Sequence, residues 1–138
     1  MAAKQIAELN RRGLLDQHMV PMLESSSKKF FSLPNELFFL NIGHGVITVY
    51  AYLLYCEDRR THQCHPSYRT ISDVVHLTVS TVMKHITKLA DRQFITVEST
   101  SYIDKRGMKW NGNNLYTILP IQMAMDYCYQ QQLLRLEA

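Results

Sequence analysis

Two short helical patterns lie close together in residues 67–95, and they limit the possible folds of this chain more than any other feature. In the second pattern Val82, Ile86 and Leu89 recur at intervals of four and three residues. That period places side chains on one face of a helix, so the second pattern has a face to bury. Only four residues, 75–78, join the two patterns. The sequence therefore predicts two packed helices connected by a short turn.

The opposite face of the second helix has the chemistry of a surface for a polyanion. It carries hydroxyls and cations, with almost no carboxylate before Asp91: Ser80, Thr81, Lys84, Thr87 and Lys88. Thr78 can cap this helix, because its side-chain oxygen can accept a hydrogen bond from a backbone N–H of the first turn. Ser67, after Pro66, can begin the first helix in the same way. A helix held by a short partner, with hydroxyls and amines in its first turns, is typical of a helix-turn-helix that enters a DNA major groove.

The composition allows one domain of ordinary size with a terminal extension. Of the 138 residues 46% are hydrophobic, which is enough for a core. The net charge of +3 permits nucleic acid binding without requiring it, so the positions of the cations must decide. Three widely spaced cysteines and the lack of a recognisable signal peptide favour a cytoplasmic protein without disulfides. The longest apolar run, GVITVYAYLLYC, is too short to cross a bilayer, and we expect no membrane segment.

We divide the chain into three parts. Residues 1–29 are predicted to form a helical or flexible arm, with a weak helical pattern broken at Gly13 and Pro21 and a polar boundary at 25–29. This arm either docks loosely or binds a partner or a second copy. Residues 30–119 are predicted to form the domain, and residues 120–138 a C-terminal helix that packs on the domain or on a second copy.

Within the domain, FFSLPNELFFL is predicted to be a lid on the core, with Pro34 starting a short helix. Gly43 and Gly45 open the main buried helix, whose apolar side chains follow helical spacing: Val46, Val49, Tyr50, Leu53 and Leu54. In the first helix of the pair, Ile71 and either Val74 or Val75 are expected to face inward. In the C-terminal helix, an apolar face is expected from Ile121, Met125, Cys128, Leu133 and Leu136.

A β-hairpin is predicted directly after the helix pair. The segment FITVESTSYI forms one strand, DKRGMKWNGNN a turn, and LYTILPI the returning strand, while residues 62–65 form a separate short strand. Trp110, beside the turn, either packs under the hairpin or stacks on a sugar or base. The predicted fold is mainly α with a small β hairpin, a winged helix-turn-helix with N- and C-terminal helical extensions.

Residues 51–95 resemble the winged helix-turn-helix domains of bacterial plasmid, phage and conjugative-element regulators and replication initiators. Three segments appear in the family's order: Tyr52-Leu53-Leu54, Cys64-His65-Pro66-Ser67 and, in shortened form, Thr78-Val79-Ser80-Thr81-Val82. The resemblance covers about residues 30–120 and implies DNA binding. It does not decide between regulation of transcription and initiation of replication. It departs from the family at His76 and Gln93, where such domains usually have glycine at positions that often need φ > 0, and at Val79, where relatives are often basic.

The expected site has two kinds of DNA contact. Base contacts are expected from Val79, Ser80, Thr81 and Lys84, where Val79 either meets a thymine methyl or covers the turn. Phosphates are expected to meet Ser67, Tyr68, Arg69, Lys88, Lys105, Arg106 and Lys109. We expect a homodimer on double-stranded DNA that regulates transcription from a mobile element. Two rivals stay open: a replication initiator or organiser, and a winged helix that binds only protein.

Other chemistry has little support in the sequence. A nucleophile elbow, a glycine-rich phosphate loop and a Walker lysine are all missing, so we expect no enzyme and no cofactor. Cysteine and histidine cluster at Cys56, His62, Cys64 and His65, but neighbours on a strand point to opposite faces, so we expect no metal site. His76 and His85 either tune binding with pH or have a structural role. No segment outside the domain is long enough to enclose a small-molecule effector.

Overall fold

The computed structural model describes residues 3–13 and 30–137. The chain divides into two units, residues 1–32 and 33–138. In the first unit helix α1 spans Ala3–Arg11 and ends in a turn at Gly13, where φ is +69° and the sequence pattern breaks. The break expected at Pro21 and the boundary expected at 25–29 lie outside the described residues.

The second unit contains four α-helices, one 3-10 helix and five strands among its described residues. They are the 3-10 helix Asn35–Phe39, α2 His44–Cys56, β1 Gln63–Cys64, α3 Tyr68–Val75, α4 Val79–Asp91, β2 Ile95–Glu98, β3 Ser101–Ile103, β4 Lys109–Asn111, β5 Leu115–Ile118 and α5 Ile121–Glu137. Helix α5, predicted as a separate C-terminal part, falls within this unit.

Helix α2 is the central element of the core. Four of its five predicted core side chains are buried, namely Val46, Val49, Tyr50 and Leu53, and Leu54 is half-buried. The Tyr50 ring packs edge-on against Phe94, with 5.3 Å between ring centroids. Burial of such side chains is worth about 1.5–3 kcal/mol each before the entropy cost, so α2 anchors the unit.

The aromatic segment before α2 covers the core less completely than the sequence predicted. Leu37 and Leu40 are buried, but Phe38 and Phe39 are 66% and 85% exposed. A 3-10 helix has three residues per turn, so positions 37 and 40 share the inward side while 38 and 39 point away. The expectation of an aromatic lid is therefore wrong for these two rings.

The helix pair forms as predicted, with small differences in its turn. Ser67 caps α3 by accepting from the Thr70 N–H at 3.1 Å, and Thr78 caps α4 by accepting from the Thr81 N–H at 3.3 Å. Ile71 is buried, and Val75 rather than Val74 packs against the core. Since Val75 is helical, the turn has three residues, 76–78, instead of four.

Both positions at which the chain lacks the expected glycine adopt left-handed backbone conformations. His76 ends α3 with φ 58° and ψ 40°, and Gln93 follows α4 with φ 67°. After α4 the Phe94 N–H donates to the Leu89 carbonyl at 2.9 Å and the Gln93 N–H donates to the Ala90 carbonyl at 3.2 Å. This is the Schellman pattern, in which the left-handed residue satisfies the last carbonyls of a helix.

The strands form two separate sheets instead of the single predicted hairpin. Strands β1, β5 and β2 form an antiparallel sheet in that order, while β3 and β4 form a separate two-stranded ribbon beyond it. At the junction, the Gly112 N–H donates to the Thr100 carbonyl at 2.8 Å. Residues Lys109–Asn111, predicted as part of the turn, belong to β4, so the turn itself is limited to residues 104–108.

Helix α5 packs on the core only through its first half. Ala124 is buried, and Ile121, Met125 and Cys128 are half-buried against the core, as predicted. Leu136 is 83% exposed, so the predicted apolar face does not continue along the core to the end of the helix. The elements from α2 to β5 form a winged helix-turn-helix. In the sequence, helix α1 precedes this fold and helix α5 follows it, so both are helical extensions.

The Gln93 conformation leads to a prediction about stability. Replacing Gln93 with glycine removes the steric cost of a Cβ in the left-handed region, and we expect the free energy of unfolding to rise by about 1 kcal/mol. Asp91→Gly, two residues earlier and still helical, is the matched control and should lower stability by up to about 1 kcal/mol. Urea denaturation of both variants measures the difference, and equal effects would contradict the assignment.

Candidate nucleic-acid interface

The outward face of α4 is polar and accessible. Ser80, Lys84 and Thr87 follow helical spacing and are exposed, opposite the buried Val82, Ile86 and Leu89. Because the apolar side of α4 is locked in the core, the direction of the exposed side chains is set by the fold. In this row Ser80 and Lys84 can donate to acceptors on base edges or phosphates, whereas the Thr87 hydroxyl donates to the Met83 carbonyl at 3.0 Å.

Apolar side chains border this row, and one of them was not among the predicted site residues. Val79 is 41% exposed, as its predicted contact with a thymine methyl requires, and Met83 is 47% exposed one turn later. Helical spacing alone places Met83 beside Val79. The sequence therefore contained this signal, although Met83 was not among the predicted site residues.

The hydroxyl of Thr81 is partly used by the helix cap. Thr81 is half-buried, and its Oγ1 accepts a hydrogen bond from the Thr78 hydroxyl at 2.8 Å. Ser80 is exposed, with its Oγ 3.4 Å from the Thr78 Oγ1. Of the two hydroxyls in the first turn, Ser80 is therefore the more available to an outside partner. The base contacts predicted for both residues stay predictions.

Lys88 has an intramolecular partner that the sequence did not reveal. Its ammonium donates to the Ile42 carbonyl at 2.9 Å, which ties α4 to the residues that lead into α2. Arg92, one turn later, donates to the Leu40 and Asn41 carbonyls at 3.4 Å each. Both cations stabilise the orientation of α4 through their bonds to the carbonyls of residues 40–42. The phosphate contact predicted for Lys88 stays a prediction, in addition to its bond to the Ile42 carbonyl.

His85 lies where α4 crosses α2. A Cβ added at Gly45 would lie 2.6 Å from the His85 Nε2, so the imidazole packs closely over this glycine. Burial, followed by the nearby Lys88 and His44, holds the pKa of His85 below its ordinary value. The neutral ring is thus favoured in the fold, which supports the structural role that the sequence left open for this residue.

The first turn of α3 lies beside the base of the wing, which we define as residues 95–118. The Asn114 side-chain amide donates to the Tyr68 hydroxyl at 2.8 Å, and the Asn113 amide donates to the His65 carbonyl at 3.2 Å. These two asparagines fix the wing against α3 and were predicted only as turn residues. Ser67 acts as the α3 cap, whereas Arg69 is exposed and available to an anion.

The wing tip is organised around Asp104. Its Oδ1 accepts from the backbone N–H groups of Arg106 and Met108 at 2.9 and 3.0 Å, and its Oδ2 accepts from the Trp110 Nε1 at 2.9 Å. The hydrogen bond from Trp110, followed by those from the backbone, holds the pKa of Asp104 below its ordinary value. Lys105, Arg106 and Lys109 are all exposed. The tip therefore presents three cations, while its carboxylate accepts hydrogen bonds from within the hairpin.

The cysteine and histidine cluster does not form a metal centre in the part of the chain that the structure describes. There, no three His, Cys, Asp or Glu side chains are grouped closely enough to hold an ion. Cys64 is buried, and its thiol donates to the Leu53 carbonyl at 3.6 Å. Burial raises the pKa of Cys64 to about 12, so the thiolate form that binds metals is strongly disfavoured at neutral pH.

A groove of about 230 Å³ lies between α5 and the end of α4. Arg92 and Phe94 line one side, and Tyr127, Cys128 and Arg135 line the other. Its volume is below the range of about 300–1,000 Å³ that is typical of small-molecule sites. Among the helices formed by residues 3–13 and 30–137, none has the length and apolarity needed to span a membrane.

A family model supports the helix-turn-helix. Among solved structures, the chain is similar to a protein from Methanosarcina mazei Go1 described as a possible transcriptional regulator, with 21% sequence identity and a TM-score of 0.46, over 71% of this chain and 76% of that chain. No curated protein sequence matches the chain. Residues 40–95, which contain α2, α3 and α4, match the model of a family described as a helix-turn-helix domain. This match agrees with the helix-turn-helix fold that α2, α3 and α4 form in this segment.

Proposed function

We propose that this protein binds double-stranded DNA sequence-specifically and regulates transcription. The observation that supports this most is the exposed row of Ser80, Lys84 and Thr87 on a helix whose opposite face is locked in the core. A helix-turn-helix places such a second helix in the major groove, where base edges differ in their donors and acceptors.

In this proposal the first two turns of α4 read the bases. Lys84 donates to acceptors such as guanine O6 or N7, and Ser80 and Thr81 contact either donors or acceptors. Val79 meets a thymine methyl, which only the major groove exposes. The Thr78 cap and the Schellman turn at Gln93 fix both ends of α4, so these side chains hold one register on the duplex.

Phosphates are held from two sides in this proposal. Lys105, Arg106 and Lys109 bind the backbone from the wing, and Arg69 binds it from the first turn of α3. Ser67 and Tyr68 complete the α3 contact, and Lys88 adds one from the α4 flank. Phosphate contacts fix position without reading sequence. The hydrogen bond between Asn114 and Tyr68 supports this division, because it holds the wing base and the α3 start together.

We further propose that the protein acts as a homodimer in the cytoplasm and serves a mobile element. The resemblance to plasmid, phage and conjugative-element domains supports the mobile-element context. Dimeric helix-turn-helix proteins bind two half-sites about one helical turn or a multiple apart. Selection of bound sequences from a random duplex pool would reveal a palindrome if the dimer is correct.

The same selection separates the rival functions. A series of direct repeats would favour a replication initiator, which the family resemblance also permits. A pool that yields no retained duplex even at low salt would contradict DNA binding and favour a protein-interaction role.

Lys84→Ala tests the base contacts. We expect binding to the selected site to weaken by about 1–3 kcal/mol and the sequence preference at the contacted position to relax. Arg60→Ala is the matched control, because this exposed cation lies in the turn beside β1, at the end of the sheet away from the wing tip at residues 104–108. Titration against selected and random duplexes measures both effects. Equal weakening on the two duplexes would contradict base reading by Lys84.

The double substitution of Lys105→Ala and Arg106→Ala tests the phosphate contacts. We expect affinity to fall on every duplex sequence, because phosphates carry no base information. The slope of log K against log salt should shrink by about 0.9 for each lost phosphate contact, or about 1.8 in all. Arg59→Ala, in the same turn as Arg60, serves as the control. A slope unchanged from that of the parent protein would rule out a phosphate-binding wing tip.

A further inference from the structure

Two large aromatic side chains face solvent on the outer ribbon of the wing. Tyr102 of β3 lies directly opposite Trp110 of β4 in the antiparallel register, so both rings are on one face of the ribbon. Tyr102 is 57% exposed and Trp110 is 49% exposed. Every residue of β3 and β4 is exposed, so the described part of the unit does not cover this face. We call these two side chains the aromatic pair.

The indole of Trp110 is held in place by its own hairpin. Its Nε1 donates to the Asp104 Oδ2 at 2.9 Å, while the other oxygen of Asp104 accepts from two backbone N–H groups of the turn. The only polar atom of the indole is thus satisfied inside the wing. The ring offers an outside partner its π-face, and it loses little conformational freedom on binding because it is already oriented.

The charge around the aromatic pair indicates the chemistry of the partner. Lys105 and Arg106 lie in the turn of the same hairpin, whose single carboxylate, Asp104, is engaged by internal donors. A partner that matches this surface carries negative charge and flat rings at short intervals. In a DNA duplex the base faces are covered by neighbouring base pairs, whereas an unpaired strand exposes both its phosphates and the faces of its bases.

We propose that the aromatic pair stacks on unpaired bases of a DNA strand adjoining the duplex that α4 contacts. This inference rests on the proposed function and extends it from duplex alone to duplex with an unpaired strand. Stacking on aromatic side chains tolerates any base sequence, since every base has a π-face. The wing then senses whether the DNA beside the site is opened, while α4 reads the sequence of the site.

Trp110 is the only tryptophan in the chain, so intrinsic tryptophan fluorescence reports on the aromatic pair alone. The probes are a blunt random-sequence duplex, the same duplex with a single-stranded oligo(dT) extension, and oligo(dT) alone. We expect the extension to tighten binding about tenfold, which corresponds to stacking of about one base. We also expect the extended duplex to quench Trp110 emission, because stacked thymine contacts the indole.

Substitutions on the two faces of the ribbon locate the effect. Tyr102→Ala should remove most of the tenfold gain, whereas Tyr102→Phe, which keeps the ring, should retain it. Ile103→Ala is the matched control, because Ile103 is the next residue of β3, points to the other face and is 72% exposed. Retention of the gain in Tyr102→Ala, or its loss in Ile103→Ala, would overturn the assignment to the aromatic face.

The outcomes separate this inference from the proposed function. Equal affinity for blunt and extended duplexes, with unchanged Trp110 emission, would overturn the stacking surface and leave duplex binding intact. Quenching by oligo(dT) without affinity for any duplex would support the stacking surface and overturn the proposed function.

Discussion

The packing of α4 against α2 is the interaction on which the rest of the structure depends. Val82, Ile86 and Leu89 enter the same buried cluster as Val49, Tyr50 and Leu53. Close approach of the two helices requires the small residue Gly45 beneath His85. Because this contact fixes the rotation of α4 about its axis, it also decides which polar side chains of α4 face outward.

Polar contacts fix the ends and the axial position of α4, which apolar packing alone does not determine. Apolar burial is non-directional, so it cannot by itself set where a helix begins, where it ends or how far it slides. Hydrogen bonds are directional, and here Thr78 sets the start of α4, while the turn at Gln93 sets its end. Lys88 and Arg92 attach the same helix to carbonyls at residues 40–42. A surface that reads DNA needs this kind of fixed register, since a shift of one residue changes every base contact.

The wing shows how a small two-stranded ribbon can be ordered without a core of its own. An isolated hairpin is marginally stable in water. Here the cross-strand pair of Tyr102 and Trp110, the hydrogen bonds to Asp104 and the attachment of Asn114 to Tyr68 supply order locally. The rings of Tyr102 and Trp110 stay half exposed. They are therefore free to act on a partner, which is the basis of the inference about unpaired bases.

The sequence by itself determined the local features. Helical spacing identified the buried face of α4 and the core residues of α2, and the hydroxyls of Ser67 and Thr78 marked the two helix starts, because capping and periodicity involve only neighbours within a few residues. The positive φ at His76 and Gln93 also followed from sequence, through the positions at which similar domains carry glycine.

Only the tertiary structure decided features that join distant parts of the chain. The attachment of Lys88 to Ile42 and the bond from Asn114 to Tyr68 depend on contacts between residues far apart in sequence. The division of the wing into two sheets likewise required the pairing register. A spacing pattern records which residues share a face. It cannot record which surface that face will meet, because that depends on how the whole chain packs.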